Sequence, residues 1–329
     1  NILLERLSPL YILLQKDAEA NASYAGAFAA DVKASGIRFV RLHDNDMDAF
    51  LGRYEAMISE PEVHAAVEFG GDMTLTAADF VGEGIDSVAS VSYAGAEVYE
   101  DGKLKFTFPG SYDVVVNGSV PARIHIATKI ITSADEIEYY LANGFGNGYY
   151  VLGNNIDFNW KTLQSAASPE RIFTGTFDGL GYSLQKVGVT GYGIFGTMDG
   201  ATVRNVNFTQ IWLNAGNNTA LLARHVHGGT IENIAISFSD NNSFKSTSGE
   251  CGILASGMSD GGSVYRNITV AANGSHSFNA LGADFDSAGC TVENYVVNNV
   301  GSLTHFGGKE GAYIGQPDGL LVNCKSGEQ

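Results

Sequence analysis

Residues 173–211, FTGTFDGLGYSLQKVGVTGYGIFGTMDGATVRNVNFTQI, decide the fold, because the pattern they carry recurs to the end of the chain. Its clearest form is Val203-Arg204-Asn205-Val206-Asn207-Phe208. It returns as Ile231-Glu232-Asn233-Ile234-Ala235-Ile236, as Tyr265-Arg266-Asn267-Ile268-Thr269-Val270 and as Val292-Glu293-Asn294-Tyr295-Val296-Val297. A worn copy is Leu321-Val322-Asn323-Cys324. Leu184-Gln185-Lys186-Val187-Gly188-Val189 fits the frame with Lys in the Asn slot. Asn155, ahead of Ile156 and Phe158, reads as a first member in which Gly153 replaces the leading apolar residue. The central positions are then 155, 186, 205, 233, 267, 294 and 323, spaced 31, 19, 28, 34, 27 and 29. A repeat of this length indicates a solenoid.

Each copy is strand-like, with alternating and often β-branched apolar residues. Counting from the central residue, apolar side chains stand at minus two, plus one and plus three. Strict alternation would put minus two and plus one on opposite faces. A bend at the centre turns both inward, and Asn tolerates the left-handed conformation such a bend needs. Stacked Asn side chains also hydrogen-bond from coil to coil. The expected architecture is a right-handed parallel β-helix with an Asn ladder of Asn205, Asn233, Asn267, Asn294 and Asn323 at one corner. Its handedness follows from the crossover rule. The minus-one residues Arg204, Glu232, Arg266 and Glu293 alternate in sign and are expected to point outward as a cross-strand charge ladder.

Composition agrees with a β protein rich in corners. Of 329 residues, 41 are Gly and only 6 Pro, and the 44% hydrophobic content is enough for a real core. The formal charge of −17 argues against a phosphate-binding surface, since nucleic-acid binders need clustered cations. Cys251, Cys290 and Cys324 are too few and too odd in number for a disulfide framework, and are read as small core residues. No apolar run reaches the ~18 residues of a membrane span. The sequence starts at Asn1, so it is read as a mature chain or an excised piece of a larger protein.

Residues 1–60 form the first expected domain, a helical or small α/β segment. Residues 15–35 are Ala-rich and helix-prone, Ile37–Leu42 looks like a strand, and Asp46–Ser59 looks helical up to Pro61. Asp44, Asp46 and Asp48, with Glu55 at position twelve, have the carboxylate spacing of an EF-hand calcium loop. Ala49 stands where that loop needs Gly, so an acidic helix N-terminus is the competing reading.

Residues 61–129 change character. The short alternating runs VHAAVEF, SVASVSY, KLKFTF, SYDVVVN and ARIHIAT are divided by Gly70-Gly71, Asp101-Gly102 and Pro109-Gly110, which suggests a β-sandwich. Phe108-Pro109-Gly110-Ser111-Tyr112-Asp113-Val114 resembles the late strand of bacterial immunoglobulin-like domains, which implies a spacer module. In TSADEIEYYLAN, Ser133 and Glu136 make a capping box and Asn143-Gly144 a stop, so residues 132–143 are expected to be a helix capping the solenoid's open end.

The third domain spans 130–329. The segments Tyr149–Phe158, Trp160, and Phe173–Leu184, with the four-residue signature Gly193-Ile194-Phe195-Gly196, resemble bacterial surface β-helices with GLUG-type repeats. Ala220–Ala223, Gly252–Ala255 and Ala312–Gly315 are eroded copies. The resemblance implies a secreted or wall-attached protein for adhesion and recognition, with no catalytic set to carry over and a host or matrix glycan or protein as ligand.

Several motifs invite chemistry and lack its context. Gly191–Gly196 spells GxGxxG, but strand residues rather than a helix follow. Gly257-Met258-Ser259-Asp260-Gly261 spells GxSxG, with Asp284 and His305 in hydrolase order, yet no helix follows the elbow. His225 and His227 share a face without a third ligand. Asp157, Asp178, Asp199 and Asp260 sit at turns. Tyr149, Tyr150, Tyr182, Tyr192 and Trp212 are candidates for stacking on sugars. The expectation is therefore a non-enzymatic extracellular surface protein without a cofactor. The alternative is a β-helix that binds or degrades a polysaccharide through paired carboxylates.

Overall fold

The computed structural model describes residues 10–14, 38–42, 63–164, 171–213, 219–239, 252–271, 284–285, 290–298, 320–322 and 325–326. It divides into two compact units, Asn1–Ser59 and Glu60–Gln329. In the first, Leu10–Leu14 and Arg38–Leu42 pair in parallel, which agrees with the strand read at Ile37–Leu42. The helix-prone stretches of this unit lie outside the described residues, as do Asp44, Asp46, Asp48 and Glu55.

The second unit is a β-solenoid of about four turns with a six-stranded sheet ahead of it. Each coil runs through three strand segments. The first carries the residues before the central Asn. Parallel neighbours in this column are Lys129–Ile131, Tyr149–Leu152, Thr176–Asp178, and the opening halves of Thr202–Leu213, Thr230–Phe238, Val264–Ala271 and Thr291–Asn298. The second segment follows the bend, beginning with Ile156–Gln164 on Ser183–Thr190. The third is a separate column of Ile172–Phe173, Gly196–Asp199, Ala223–His227, Met258–Asp260 and Asp284–Phe285.

Asn205, Asn233, Asn267 and Asn294 all take positive φ, between 51 and 56°. That local choice turns Val203 and Val206, on either side of Asn205, into one apolar interior. The four amides form a directed column. Asn233 Nδ2 donates to Asn205 Oδ1 at 2.8 Å, Asn267 to Asn233 at 2.8 Å, and Asn294 to Asn267 at 3.0 Å. A chain that donates in one direction needs a terminal acceptor. Asp178 supplies it, taking Asn205 Nδ2 on Oδ1 at 3.0 Å. Asn323 lies outside the described residues.

The same register corrects the first two members of the repeat. Thr176, Phe177 and Asp178 pair with Thr202, Val203 and Arg204, so Gly179, not Lys186, stands level with Asn205. Gln185 pairs with Thr209 and Gly188 with Trp212, which sets Lys186 beside Gln210. Lys186 and Gln210 both have positive φ, 52 and 55°, and mark a second corner. Phe208, Ile211 and Leu213 flank Gln210 at the spacing that flanks each Asn, so the two corners share one sequence signature. Asn155 falls level with Ser183 and Asn207, two places beyond the bend, and its Oδ1 accepts the Ser183 N–H at 2.8 Å.

The charge ladder exists but is not on the open surface. Arg204 pairs in register with Glu232, Glu232 with Arg266, and Arg266 with Glu293. Arg266 Nε binds Glu232 Oε2 at 2.6 Å, with both side chains more than three-quarters covered. Asp178 begins this ladder too, since Arg204 Nε binds its Oδ2 at 2.6 Å.

The helix Ala134–Asn143 starts at Ser133, whose hydroxyl accepts the Glu136 N–H. The Glu136 carboxylate reaches back to Thr132 N–H rather than to Ser133 N–H, one residue earlier than a standard box. Gly144, at φ 87°, closes the helix by donating to Tyr140 C=O. Ile137 and Leu141 bury into the same cluster as Phe145, Tyr150, Phe173 and Phe195 of the first coils. The helix thus adds its apolar face to the start of the solenoid core.

In the six-stranded sheet, Val120–Ala127 is antiparallel to Gly110–Val116 and parallel to His64–Glu68. Tyr99–Glu100 and Lys103–Leu104 form a hairpin around Asp101-Gly102, both at positive φ as a type I′ turn requires. Ala122, Ile124 and Ile126 face this sheet's own core with Leu75 and Leu104. Ala127, on the opposite face, packs with Tyr149, Val151 and Leu180 of the solenoid. One strand is therefore buried on both sides where the two sheets meet.

Candidate functional site

That junction creates a groove. Tyr149, Thr176, Thr202 and Arg204 belong to the first strand column, and their side chains lie on its outer side, opposite Val203. Thr128 joins the Tyr149 end, where its hydroxyl accepts the Tyr149 N–H at 2.9 Å. Phe108, Pro109, Gly110 and Ser111 of the six-stranded sheet line the same space, an open groove of about 460 Å³ that crosses successive coils. Phe108 exposes 71% of its surface. The backbone behind it is held by Tyr112, whose hydroxyl donates to Phe108 C=O at 2.8 Å while its ring stacks on Phe106 at 4.1 Å.

The rim is low because backbones approach closely there. A Cβ on Gly175 would sit 2.1 Å from the Gly148 carbonyl oxygen. Only glycine admits that contact.

Beneath the floor is a buried polar chain. Asp178 is fully buried and accepts four donors: Arg204 Nε and the Tyr149 hydroxyl on Oδ2, and Asn205 Nδ2 and Leu180 N–H on Oδ1. Tyr149 OH lies 2.5 Å from Nδ1 of His125. With Tyr149 donating to Asp178, its oxygen accepts from His125 Nδ1–H. Burial pushes the His125 pKa down to about 4, so the imidazole is neutral near pH 7. Burial opposes the charge on Arg204, but the facing Asp178 carboxylate outweighs it and holds the guanidinium above its ordinary pKa. Arg204 therefore brings hydrogen-bond donors to the groove with its charge already compensated. Hydroxyls, a neutralised guanidinium and an exposed ring suit hydrogen bonding and stacking.

The other residues singled out from sequence are dispersed. Tyr149 and Tyr150 are buried rather than exposed, and the Tyr150 hydroxyl donates to Phe145 C=O. Tyr192 packs against Arg224, whose guanidinium carbon lies 4.9 Å from the ring centre. Ser259 is fully buried within a strand and accepts the Tyr265 hydroxyl at 2.7 Å, so it is a core residue and no nucleophile elbow. Asp284 pairs with Met258 in the third column, and His305 lies outside the described residues. The GxGxxG stretch runs into the strand Gly196–Asp199. Its Ile194 and Phe195 stack on Leu221 and Leu222, which stack on Ile253 and Leu254, so the four-residue signature forms one internal column. His225 and His227 flank inward-facing Val226 on one strand. Asp157 is held below its usual pKa by a hydrogen bond from Lys186, at 2.5 Å. Asp199 is exposed at the end of the strand Gly196–Asp199, in register with His227. Among the described residues, no three His, Cys, Asp or Glu side chains group as a metal site. No described helix is long and apolar enough to cross a membrane.

Sequence reasoning misses His125, and it reads Asp178 as a turn carboxylate without its buried role. His125 sits in the alternating run ARIHIAT, where nothing marks the second buried face. Asp178 precedes Gly179 and reads as turn chemistry. Its one visible sign was its place before Gly179, the residue that stands in the Asn slot of its coil. No family model, curated protein or solved structure matches the chain.

Proposed function

We propose that the protein is a non-enzymatic extracellular surface protein that recognises a host or matrix ligand through the outer face of its solenoid. The observation that carries this is the open groove across successive coils, floored by Thr128, Thr176, Thr202 and Arg204 and walled by Phe108. Its ionised groups are committed to each other, as in Arg204–Asp178, which leaves hydroxyls and an aromatic face for contact. In this reading the solenoid winds right-handed and belongs with the GLUG-type surface β-helices. Residues 61–129 act as an immunoglobulin-like spacer, and the chain is a segment of a larger surface protein without a cofactor.

The groove's hydroxyl floor favours a glycan or glycosylated matrix protein. The test is binding of the whole chain to an array of host and matrix glycans and glycoproteins, with a parallel assay for released reducing ends. Saturable binding is expected, weakened about tenfold by Phe108→Ala and lost when Thr202→Trp fills the groove. Released reducing ends would reject the non-enzymatic reading. Binding indifferent to both substitutions would reject the groove.

A further inference from the structure

The second strand column carries a feature the groove does not use. Trp160 and Trp212 stack with ring centres 5.6 Å apart and planes inclined by 28°. They come from different coils, with the Gly188 coil between them: Thr162 pairs with Gly188, and Gly188 with Trp212. A Cβ on Gly188 would lie 2.3 Å from the Trp212 indole, so glycine is what lets that ring lie flat on the backbone. Above it, Trp160 exposes half of its surface.

The backbone is bent to present it. The register slips between Asp157 and Lys161, and Asn159 and Trp160 take φ of 50 and 65° in succession. A bulky aromatic in the left-handed region is a genuine outlier, and such outliers concentrate at binding and catalytic sites. Interior packing does not explain this one, since the ring points out. Paired charges flank it in sequence: Asp157 binds Lys186 at 2.5 Å, and Lys161 binds Glu138.

We infer that the Trp160–Trp212 stack is a saccharide-binding platform, separate from the groove, for a β-linked pyranose chain. Such a sugar offers a flat face of axial C–H groups to an indole and turns its equatorial hydroxyls sideways. One half-exposed indole is too small for protein docking, which buries on the order of 1,200 Å² or more. It is the right width for one sugar ring. Stacking on Trp212 fixes the ring in advance, which lowers the ordering cost of binding.

The two tryptophans are the only ones in the chain, so emission reads this site alone. The full chain is titrated with cellohexaose and with chitohexaose, and with sorbitol as an acyclic polyol. A saturable change with at least one hexasaccharide and none with sorbitol is expected. Trp160→Ala should weaken binding by about tenfold or more, and Trp160→Tyr should restore most of it. No saturable change with either hexasaccharide, an equal response to sorbitol, or unchanged binding by Trp160→Ala overturns the platform. None of these results depends on the groove.

Discussion

Replacing Asn233 tests the corner column where it is most constrained. Asn233 donates to Asn205 and accepts from Asn267, and its backbone sits at φ 56°. Asn233→Ala removes both bonds, at about 1 kcal/mol each for half-buried amides. It also leaves the Cβ in the left-handed region without the local hydrogen bonding that eases Asn there, at roughly 1–2 kcal/mol. The sum is about 3–4 kcal/mol. Asn233→Gly loses the same bonds and relieves the strain, at the cost of a freer unfolded chain, ~0.4–1 kcal/mol. Gly should therefore be the milder change by about 0.5–1 kcal/mol. In an ordinary extended strand the order is reversed. Urea unfolding followed by the Trp160–Trp212 emission gives both values. With a slope of about 3 kcal/mol/M, Asn233→Ala moves the midpoint down by roughly 1 M. Thr230→Ala, on the outer side of the same strand, should stay within about 0.5 kcal/mol of the parent. If Asn233→Ala costs no more than Thr230→Ala, or if Gly is worse than Ala, the bend and its ladder are wrong.

Two further outcomes follow from the same geometry. His125 is buried with a pKa near 4, against ~6.5 unfolded, so below that value the unfolded chain takes up a proton the folded chain refuses. Its contribution is complete above pH ~6.5 and is lost as pH falls toward about 4, by up to about 3 kcal/mol. Urea midpoints at pH 7 and 4.5 should show this loss, and His125→Asn, which keeps a donor for Tyr149, should flatten it. An equal pH dependence in both proteins would contradict the buried neutral imidazole. Gly188→Ala should displace the Trp212 indole, cost about 1–3 kcal/mol and remove the near-ultraviolet circular dichroism of the stacked pair. An unchanged spectrum would show that the rings do not stack over that glycine.

How much was legible follows from where the physics is local. Asn205, Asn233, Asn267 and Asn294 could be read because one left-handed residue with apolar neighbours at minus two, plus one and plus three fixes a bend by itself. That sufficiency also misled. Phe208, Ile211 and Leu213 set the same spacing around Gln210, so Lys186, which belongs to that second corner, fits the frame of the first equally well. Asp178 stands before a turn in which Leu180, Gly181 and Tyr182 occupy the place that Val206 fills alone in the next coil, two residues more, which breaks the phrase while leaving the ladder intact. The groove and the His125–Tyr149–Asp178 chain depend on a contact between two sheets, and no periodicity within either one encodes it. The Trp160–Trp212 stack was hidden for a related reason. It joins residues two coils apart, and a bulge at Asn159 brings them together.

Coil-to-coil register underlies the core, the Asn ladder and the groove, and a cross-linking comparison reads it directly. Thr202 pairs with Thr230, and Ala235 lies five residues further along the same strand. A chain carrying Thr202→Cys with Thr230→Cys should oxidise to a Cys-to-Cys bridge between those two positions, identified by peptide mapping that separates it from the native cysteines. Register partners on adjacent parallel strands fall within the Cα separation a disulfide allows. Thr202→Cys with Ala235→Cys should stay unlinked. A bridge in the second protein, or none in the first, would show that the coils do not stack as described.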